Sequence, residues 1–266
     1  MGLDSAADFL KEKKEKKSSK RSRGSDDTEA TANDNEAPRR KRASAPDAVA
    51  AVQPQQQRSH EAFCTEHGML VSGPPGFVVP APFETFAATP FAPALLKLFA
   101  ASGFNAPTVT QALAWPLALS GANVVTVAKT GSGKTLGFLA PIFHSLRGGA
   151  GVASIRAAPG RPSALVLAPT RELACQTEVE AARFGASLNL RAACVYGGAP
   201  KSAQIRALRD GVDIVIGTPG RLQDLMEMRV LSLDSVRFLV LDEADRMLDM
   251  GCVLTHQSQS RLHAFA

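Results

Sequence analysis

Lys134 and Thr135 close the run AKTGSGKT (Ala128 to Thr135), and Asp242 and Glu243 open the run DEAD (Asp242 to Asp245). Between them these four side chains could hold a polyphosphate and a divalent cation. The first run follows an apolar stretch and leads into a helix-like one. A glycine-rich loop in that position turns backbone N–H groups towards an anion at a helix N-terminus. Lys134 then reaches the outer phosphates and Thr135 offers a hydroxyl to Mg2+, so Thr130, Gly131, Ser132, Gly133, Lys134 and Thr135 are the expected phosphate-loop contacts. Ala128 stands where the usual G-x-x-x-x-G-K-T pattern begins with Gly. The second run ends the apolar stretch FLVL (Phe238 to Leu241). Asp242 is placed to hold Mg2+ and Glu243 to orient or deprotonate a water. Lys134, Asp242 and Glu243 are therefore the candidate catalytic residues, and Thr135 and Asp242 the candidate metal ligands. Each run has a plainer reading, a chance glycine loop or the solvated first turn of a helix. Their conjunction favours the chemistry.

Such groups need a scaffold that brings strand ends to one edge. Short aliphatic runs predict strands at Asn123 to Ala128, Ala164 to Ala168, Arg191 to Tyr196, Asp213 to Gly217 and Arg237 to Asp242. Helix-length segments lie between them, at Lys134 to Leu146, Arg171 to Phe184, Lys201 to Arg209 and Arg221 to Met228. Continuous rather than alternating apolar runs point to strands buried on both faces, and the strand–helix alternation to a doubly wound parallel α/β sheet. Upstream, PALLKLFAASG reads as a helix from Pro93 that stops at Gly103, and a second helix follows Pro107 with a bend expected near Pro116. Gly73 to Pro82 and Arg147 to Pro162 read as loops.

Composition bounds the rest. Of 266 residues, Met1 to about His60 are charged and polar with almost no apolar periodicity, a segment that cannot offset chain entropy by burial. The expected organisation is a disordered basic and mixed-charge tail over 1–62, a linker over 63–82, a nucleotide-binding domain over 83–251 and a tail of different pattern over 252–266. The net charge is +5, and the tail carries the basic blocks KEKKEKK, KRSR and RRKR. Blocks of this kind attract nucleic acid or import receptors, or simply keep a chain soluble. Four widely spaced cysteines without a C-x-x-C pair argue against a zinc site or a disulfide framework. No apolar run approaches the ~18 residues of a membrane span. A soluble intracellular monomer is the expectation.

AKTGSGKT, PTREL (Pro169 to Leu173), the pair Gly197 and Gly198, TPGR (Thr218 to Arg221) and DEAD occur in the order found in the first RecA-like domain of DEAD-box RNA helicases, which the chain resembles. GFNAPTVTQ (Gly103 to Gln111) resembles that family's Q motif, and Phe86 stands where the family keeps an isolated aromatic upstream of it. The resemblance covers about Val71 to Gly251. It implies a P-loop nucleotide hydrolase that uses ATP and Mg2+. Gln111 would read the N6/N7 edge of adenine and Phe86 would stack on the base. Pro169, Thr170, Arg171, Gly197, Gly198, Thr218, Pro219, Gly220 and Arg221 would grip RNA phosphates and 2′-hydroxyls, contacts that carry little sequence information. The wording of QALAWPLALSG and LDEADRMLDMG also resembles a nuclear and nucleolar branch of the family, so nucleus or nucleolus, with cytoplasm as an alternative, is the expected location. Ribonucleoprotein partners would meet the N-terminal tail.

A family member continues after LDMG (Leu248 to Gly251) with a Phe, a helix and a strand ending in Ser-Ala-Thr, whereas this chain has Cys252 and VLTHQSQSRLHAFA. The resemblance therefore implies a sheet incomplete at the C-terminus. It also implies the loss of arginines that a second domain supplies, worth on the order of 10^3 to 10^5 in rate. Three readings stand at this stage: the first domain of an ATP-dependent RNA helicase, a truncated non-catalytic ATP- and RNA-binding module, or a metabolic P-loop kinase. The last leaves PTREL, TPGR and the Phe86/Gln111 pair without a purpose.

Overall fold

The computed structural model describes residues 58–148 and 157–249 and the backbone of 263–265. The N-terminal tail with its basic blocks, and nearly all of the tail from 252, lie outside the described residues. Five parallel strands form one sheet: β1 (Ala164–Leu167), β2 (Ala192–Val195), β3 (Ile214–Gly217), β4 (Phe238–Leu241) and β5 (His263–Phe265), in the order β2-β3-β1-β4-β5. The helices are α1 (His60–His67), α2 (Pro93–Ala101), α3 (Val109–Leu119), α4 (Lys134–Leu146), α5 (Arg171–Ala186), α6 (Lys201–Arg209), α7 (Pro219–Glu227) and α8 (Ala244–Asp249), with a 3-10 turn at Phe86–Ala88.

The sequence pattern explains the layers. β1 and β3 are buried at every position, as continuous apolar runs in the middle of a parallel sheet must be. β2, at the sheet's edge, alternates buried and half-buried residues. Because successive side chains point to opposite faces, Ala164 and Val166 of β1 join one core and Leu165 and Leu167 the other. The first core collects Phe99 from α2, Trp115 from α3, Ile142 from α4 and Phe184 from α5. The second collects Leu208 from α6, Leu222 and Leu225 from α7 and Met247 from α8. Helices thus cover both faces, which is the doubly wound RecA-like arrangement expected from the strand–helix alternation.

Three expectations need correction. The run Asn123 to Ala128 is not a strand: only Val124 makes a β-bridge, while Val125 and Val127 are 77% and 93% exposed. A β-branched run favours extended backbone, but a strand also needs a ladder of paired residues, and within this segment Val124 alone is paired. Pro219 and Gly220 are helical: Pro219 takes the first turn of α7, whose start lies two residues earlier than the expected Arg221, because proline's fixed φ suits that position. The boundary set at residue 62 falls inside α1. Ser59 caps this helix by accepting from the N–H of Ala62, Gly68 ends it at φ 62°, and its Phe63 and Cys64 pack on Ala112 and Leu113 of α3. Beyond residue 252, β5 pairs with β4 from Phe238↔His263 to Val240↔Phe265. α3 and α4 run on through Pro116 and Pro141.

At the end of the sheet opposite the loops of interest, Asp213 is 7% exposed, and its carboxylate accepts from the N–H of Arg191 at 2.8 Å and of Ala157 at 3.3 Å. Asp213→Ala leaves both donors without that partner. The expected loss is about 1 to 3 kcal/mol, read as a lower urea midpoint at unchanged slope. A midpoint equal to wild type would show that water replaces the carboxylate without cost.

Candidate functional site

The register of the sheet assembles the site. Leu167 of β1 lies opposite both Gly217 of β3 and Leu241 of β4, and Gly217 lies opposite Val195 of β2. Four strands therefore stop level, and the residues that follow them, Ala168 to Thr170, Tyr196 to Gly198, Thr218 and Asp242 with Glu243, emerge at one rim.

At the β4 side of that rim is a cavity of about 490 Å³ whose lining includes Thr110, Val127, Ala128, Lys134, Asp242 and Glu243. Both runs singled out in the sequence meet here. Gly133 caps α4 from the left-handed region at φ 81°, and Lys134, the first helical residue, donates from Nζ to the carbonyl of Ala128 at 2.6 Å. Gly131 also has a positive φ, of 80°. Alternation of this kind turns successive N–H groups inward as an anion nest. Ser132 adds an independent sign: its hydroxyl oxygen is buried and, among the described residues, has no hydrogen-bond partner. An orphaned buried hydroxyl in a glycine loop is accounted for by a ligand that accepts from it. The loop thus fits a polyphosphate. Thr130 and Gly131 are exposed, and Thr135 is half-buried in the first turn of α4.

Asp242, the first residue after β4, is partly buried, and its carboxyl lies above the usual carboxylate range. Burial is the first cause and the neighbouring Glu243 carboxylate the second; the Lys134 ammonium and a hydrogen bond from the Glu243 backbone pull the other way. Lys134 and Asp242 are therefore in electrostatic contact across the cavity. Two adjacent carboxylates against one ammonium fit a divalent cation. Glu243 has φ 53°, a region that a residue with a long side chain seldom occupies, and its Oε2 accepts from Arg246 at 2.7 Å.

Gln111 has a partner that the adenine reading did not foresee. It is 6% exposed, its Oε1 accepts from the N–H of Thr108 at 3.1 Å, and its Nε2 donates to the carbonyl of Gly133 at 2.9 Å. Thr108 in turn accepts from the N–H of Gln111 and donates to the carbonyl of Ser132 at 2.8 Å. The pair is a capping box, T-x-x-Q, that also holds the phosphate loop. A Cβ on Gly133 would lie 2.5 Å from Gln111 Nε2, so Gly133 is needed for close approach as well as for its φ. These bonds leave one Nε2 hydrogen and one Oε1 lone pair unused. Phe86 opens the 3-10 turn half-buried, its ring 5.2 Å from that of Phe99 and 6.3 Å from that of Trp115.

The residues expected to meet RNA divide in two. Arg171, Gly197, Gly198 and Gly220 are exposed, and Thr218 and Pro219 half-buried. Pro169 is buried, and the hydroxyl of Thr170 accepts from the N–H of Leu173 at 3.3 Å as the cap of α5. Arg221 is 8% exposed and turned inward, its Nη1 donating to the carbonyl of Ala199 and to Oε1 of Gln204. The sequence reading passed over Gln204, whose long polar side chain on an amphipathic helix looks solvated; it is 7% exposed. Cys194 contacts Cys175, and burial above all pushes its thiol up to about 12, so it offers no thiolate at neutral pH.

The chain matches the family model described as DEAD/DEAH box helicase over residues 108–263, which extends past Gly251, where the resemblance was expected to stop. It is 50% identical over 199 residues to DEAD-box ATP-dependent RNA helicase 14 of Arabidopsis thaliana, covering 74% of this chain and 31% of that protein. It is 49% identical over 199 residues to ATP-dependent RNA helicase DBP2 of Ajellomyces capsulatus, covering 74% of this chain and 35% of that one. The structure of the RNA-helicase Prp28 from Chaetomium thermophilum bound to ADP superimposes with a TM-score of 0.70 at 32% identity, over 81% of this chain and 52% of that one. The chain spans about a third of the length of the curated relatives it matches.

The charge state of Asp242 has a measurable consequence. Its raised value means that the folded chain binds the proton more tightly than the unfolded chain, so its stabilising contribution is present at low pH and is lost as pH rises through the carboxylate range. At neutral pH the ionised group opposes folding. Asp242→Asn is expected to raise the melting temperature of the ligand-free chain at pH 7, with a gain that shrinks as pH falls below the carboxylate range. A gain independent of pH, or a loss at pH 7, would contradict the burial argument.

Proposed function

The chain belongs to the DEAD/DEAH box helicase family, whose first RecA-like domain it covers, and we propose that it binds ATP with Mg2+ at the Lys134/Asp242 cavity and RNA backbone along the neighbouring strand-end loops. In the intact protein the two together would serve ATP-driven remodelling of RNA or RNA–protein complexes. One observation supports this most: Lys134 and Asp242 line one cavity, on the same rim as the loops after β1, β2 and β3.

Each residue has a part that follows from its position. The N–H groups of Gly131 to Lys134 and the Lys134 ammonium would bind the outer phosphates, with Lys134 exchanging its bond to the Ala128 carbonyl for a charged partner. Thr135 and Asp242 would hold Mg2+, which when bound neutralises charge on the phosphates. Glu243 would orient the attacking water, and for that its carboxylate must leave Arg246. Gln111 would contribute its remaining donor and acceptor to adenine while it keeps the loop in place. Phe86 would face the base from the Phe99 and Trp115 cluster.

Exposed loops with glycine N–H groups and Arg171 suit phosphates and 2′-hydroxyls rather than base edges. The basic blocks of the N-terminal tail support a nuclear or nucleolar location and contacts with ribonucleoprotein partners. A monomer is the proposed state. The alternative, a non-catalytic ATP- and RNA-binding module, is favoured by the Glu243–Arg246 pair, which engages the water-orienting carboxylate.

Titration of the 266-residue chain with a fluorescent ATP analogue tests the nucleotide site. Binding is expected to require Mg2+, and Lys134→Ala should weaken it by roughly tenfold or more, the scale of a lost charge-assisted contact of about 1.5 to 3 kcal/mol. Equal affinity in that variant, or binding indifferent to Mg2+, would reject the assignment.

A further inference from the structure

Arg221 and Gln204 form a buried junction that joins the loops without facing solvent. The Arg221 guanidinium donates through Nη1 to the carbonyl of Ala199 at 3.2 Å and to Oε1 of Gln204 at 3.0 Å, and through Nη2 to Ala199 again at 3.3 Å. Its Nε lies 3.6 Å from Asp224, which also takes Lys201 Nζ at 2.9 Å. Gln204 passes the connection on, its Nε2 donating to the carbonyl of Tyr196 at 3.1 Å. Above it, the Arg171 guanidinium lies 5.0 Å from the centre of the Tyr196 ring. A single path therefore runs from the first residue of α5, through the loop Tyr196 to Pro200, to the first turn of α7.

We propose that Arg221 and Gln204 are positioning residues, a buried clip that fixes the loops after β1, β2 and β3 relative to one another for RNA and does not itself touch RNA. The inference rests on the RNA-binding reading above. It reassigns Arg221, which the TPGR motif had suggested as a phosphate ligand. The geometry requires these residue types. The planar guanidinium serves the Ala199 carbonyl through both Nη1 and Nη2 while Nη1 also reaches the Gln204 amide oxygen, a set of directions that a lysine's point charge does not fix. The Gln204 amide accepts from Arg221 through one atom and donates to Tyr196 through another, which an isosteric carboxylate could not do. With Arg221 turned inward, the exposed residues Gly197, Gly198, Gly220 and Arg171 are the ones left to meet the ligand. Loops already ordered need not be ordered at the moment of binding, and that preorganisation is what the clip contributes.

The test uses the 266-residue chain, its Arg221→Ala and Gln204→Ala variants and the double variant. Two measurements are made: binding of a fluorescent oligouridylate of about 10 nucleotides, and hydrogen exchange of residues 196–200, with α4 as the internal control of folding. Each single change is expected to weaken binding roughly tenfold, and the double variant to be no weaker than about threefold beyond either, since both break one network. The slope of log Kd against log salt should stay at the wild-type value. Exchange at 196–200 should rise while α4 keeps its protection. A slope that falls by about 0.7 in Arg221→Ala, with Gln204→Ala silent, would make Arg221 a direct phosphate ligand and overturn the proposal. Failure of the wild-type chain to bind the oligouridylate would sink the RNA reading instead. The exchange data then still decide the clip: a rise in both variants supports it, and no rise refutes it.

Discussion

The level ending of four parallel strands is the constraint on which the rest of the molecule depends. Pairing Leu167 with Gly217 and Leu241, and Gly217 with Val195, obliges the chain to leave β1 to β4 at the same edge. The turns there are short. Thr218 is the sole residue between β3 and α7, and Ala168 to Thr170 separate β1 from α5. Short turns bring helix N-termini, with their unsatisfied N–H groups, up to the rim. A surface of that kind favours anions wherever it is exposed. Under the proposed reading, nucleotide phosphates and RNA phosphates would ask for the same physical feature, and one register would supply it for both.

The phosphate loop is the part of this rim least supported by the sheet. Val124 makes a bridge but Val125 to Ala128 join no ladder, so the loop's position comes from the helix side. Thr108 binds the carbonyl of Ser132, Gln111 that of Gly133, and Trp115 Nε1 that of Leu136 at 3.2 Å. All three donors stand on one face of α3 or at its cap, spaced three and four residues apart. They bond the loop and the first turn of α4 in turn. Phe86 and Phe99 pack against the same Trp115. A residue type that could read a base is in this way also a structural clamp, and a ligand at Gln111 would act on the loop directly.

What the sequence discloses follows from what a pattern can encode. The buried strands β1 and β3 were plain because ALVL and IVIG have no polar residue that could face water. The phosphate loop was plain because Gly131 and Gly133 are required for backbone reasons that few other residues meet. Asn123 to Ala128 misled because β-branched composition reports a preference for extended backbone and says nothing of a neighbour. Phe63 and Cys64 were unreadable as an anchor because two apolar residues in a polar helix have no periodicity, and their partners Ala112 and Leu113 lie far along the chain. The inward turn of Arg221 was unreadable for a related reason. TPGR names a motif, but the acceptors that bury its guanidinium, Ala199 and Gln204, come from another loop and another helix.

The electrostatics of the cavity favour a ligand of a particular kind. Asp242 is half-withdrawn from water beside Glu243, so negative charge is in excess there, while Lys134 rests on a neutral carbonyl. A free polyphosphate would satisfy Lys134 but add to the repulsion at Asp242. A cation alone would relieve the carboxylates yet repel Lys134. A metal–nucleotide complex meets both demands, because its anionic part takes the ammonium and its cationic part the carboxylate. The left-handed backbone of Glu243 adds a local cost of about 1 to 3 kcal/mol. Its side chain is held by one partly exposed partner, Arg246, a pair worth little in water. A strained backbone with a weakly held side chain is an arrangement that a modest interaction can change. The Glu243 carboxylate is therefore the group in this site most open to control by whatever binds beside it.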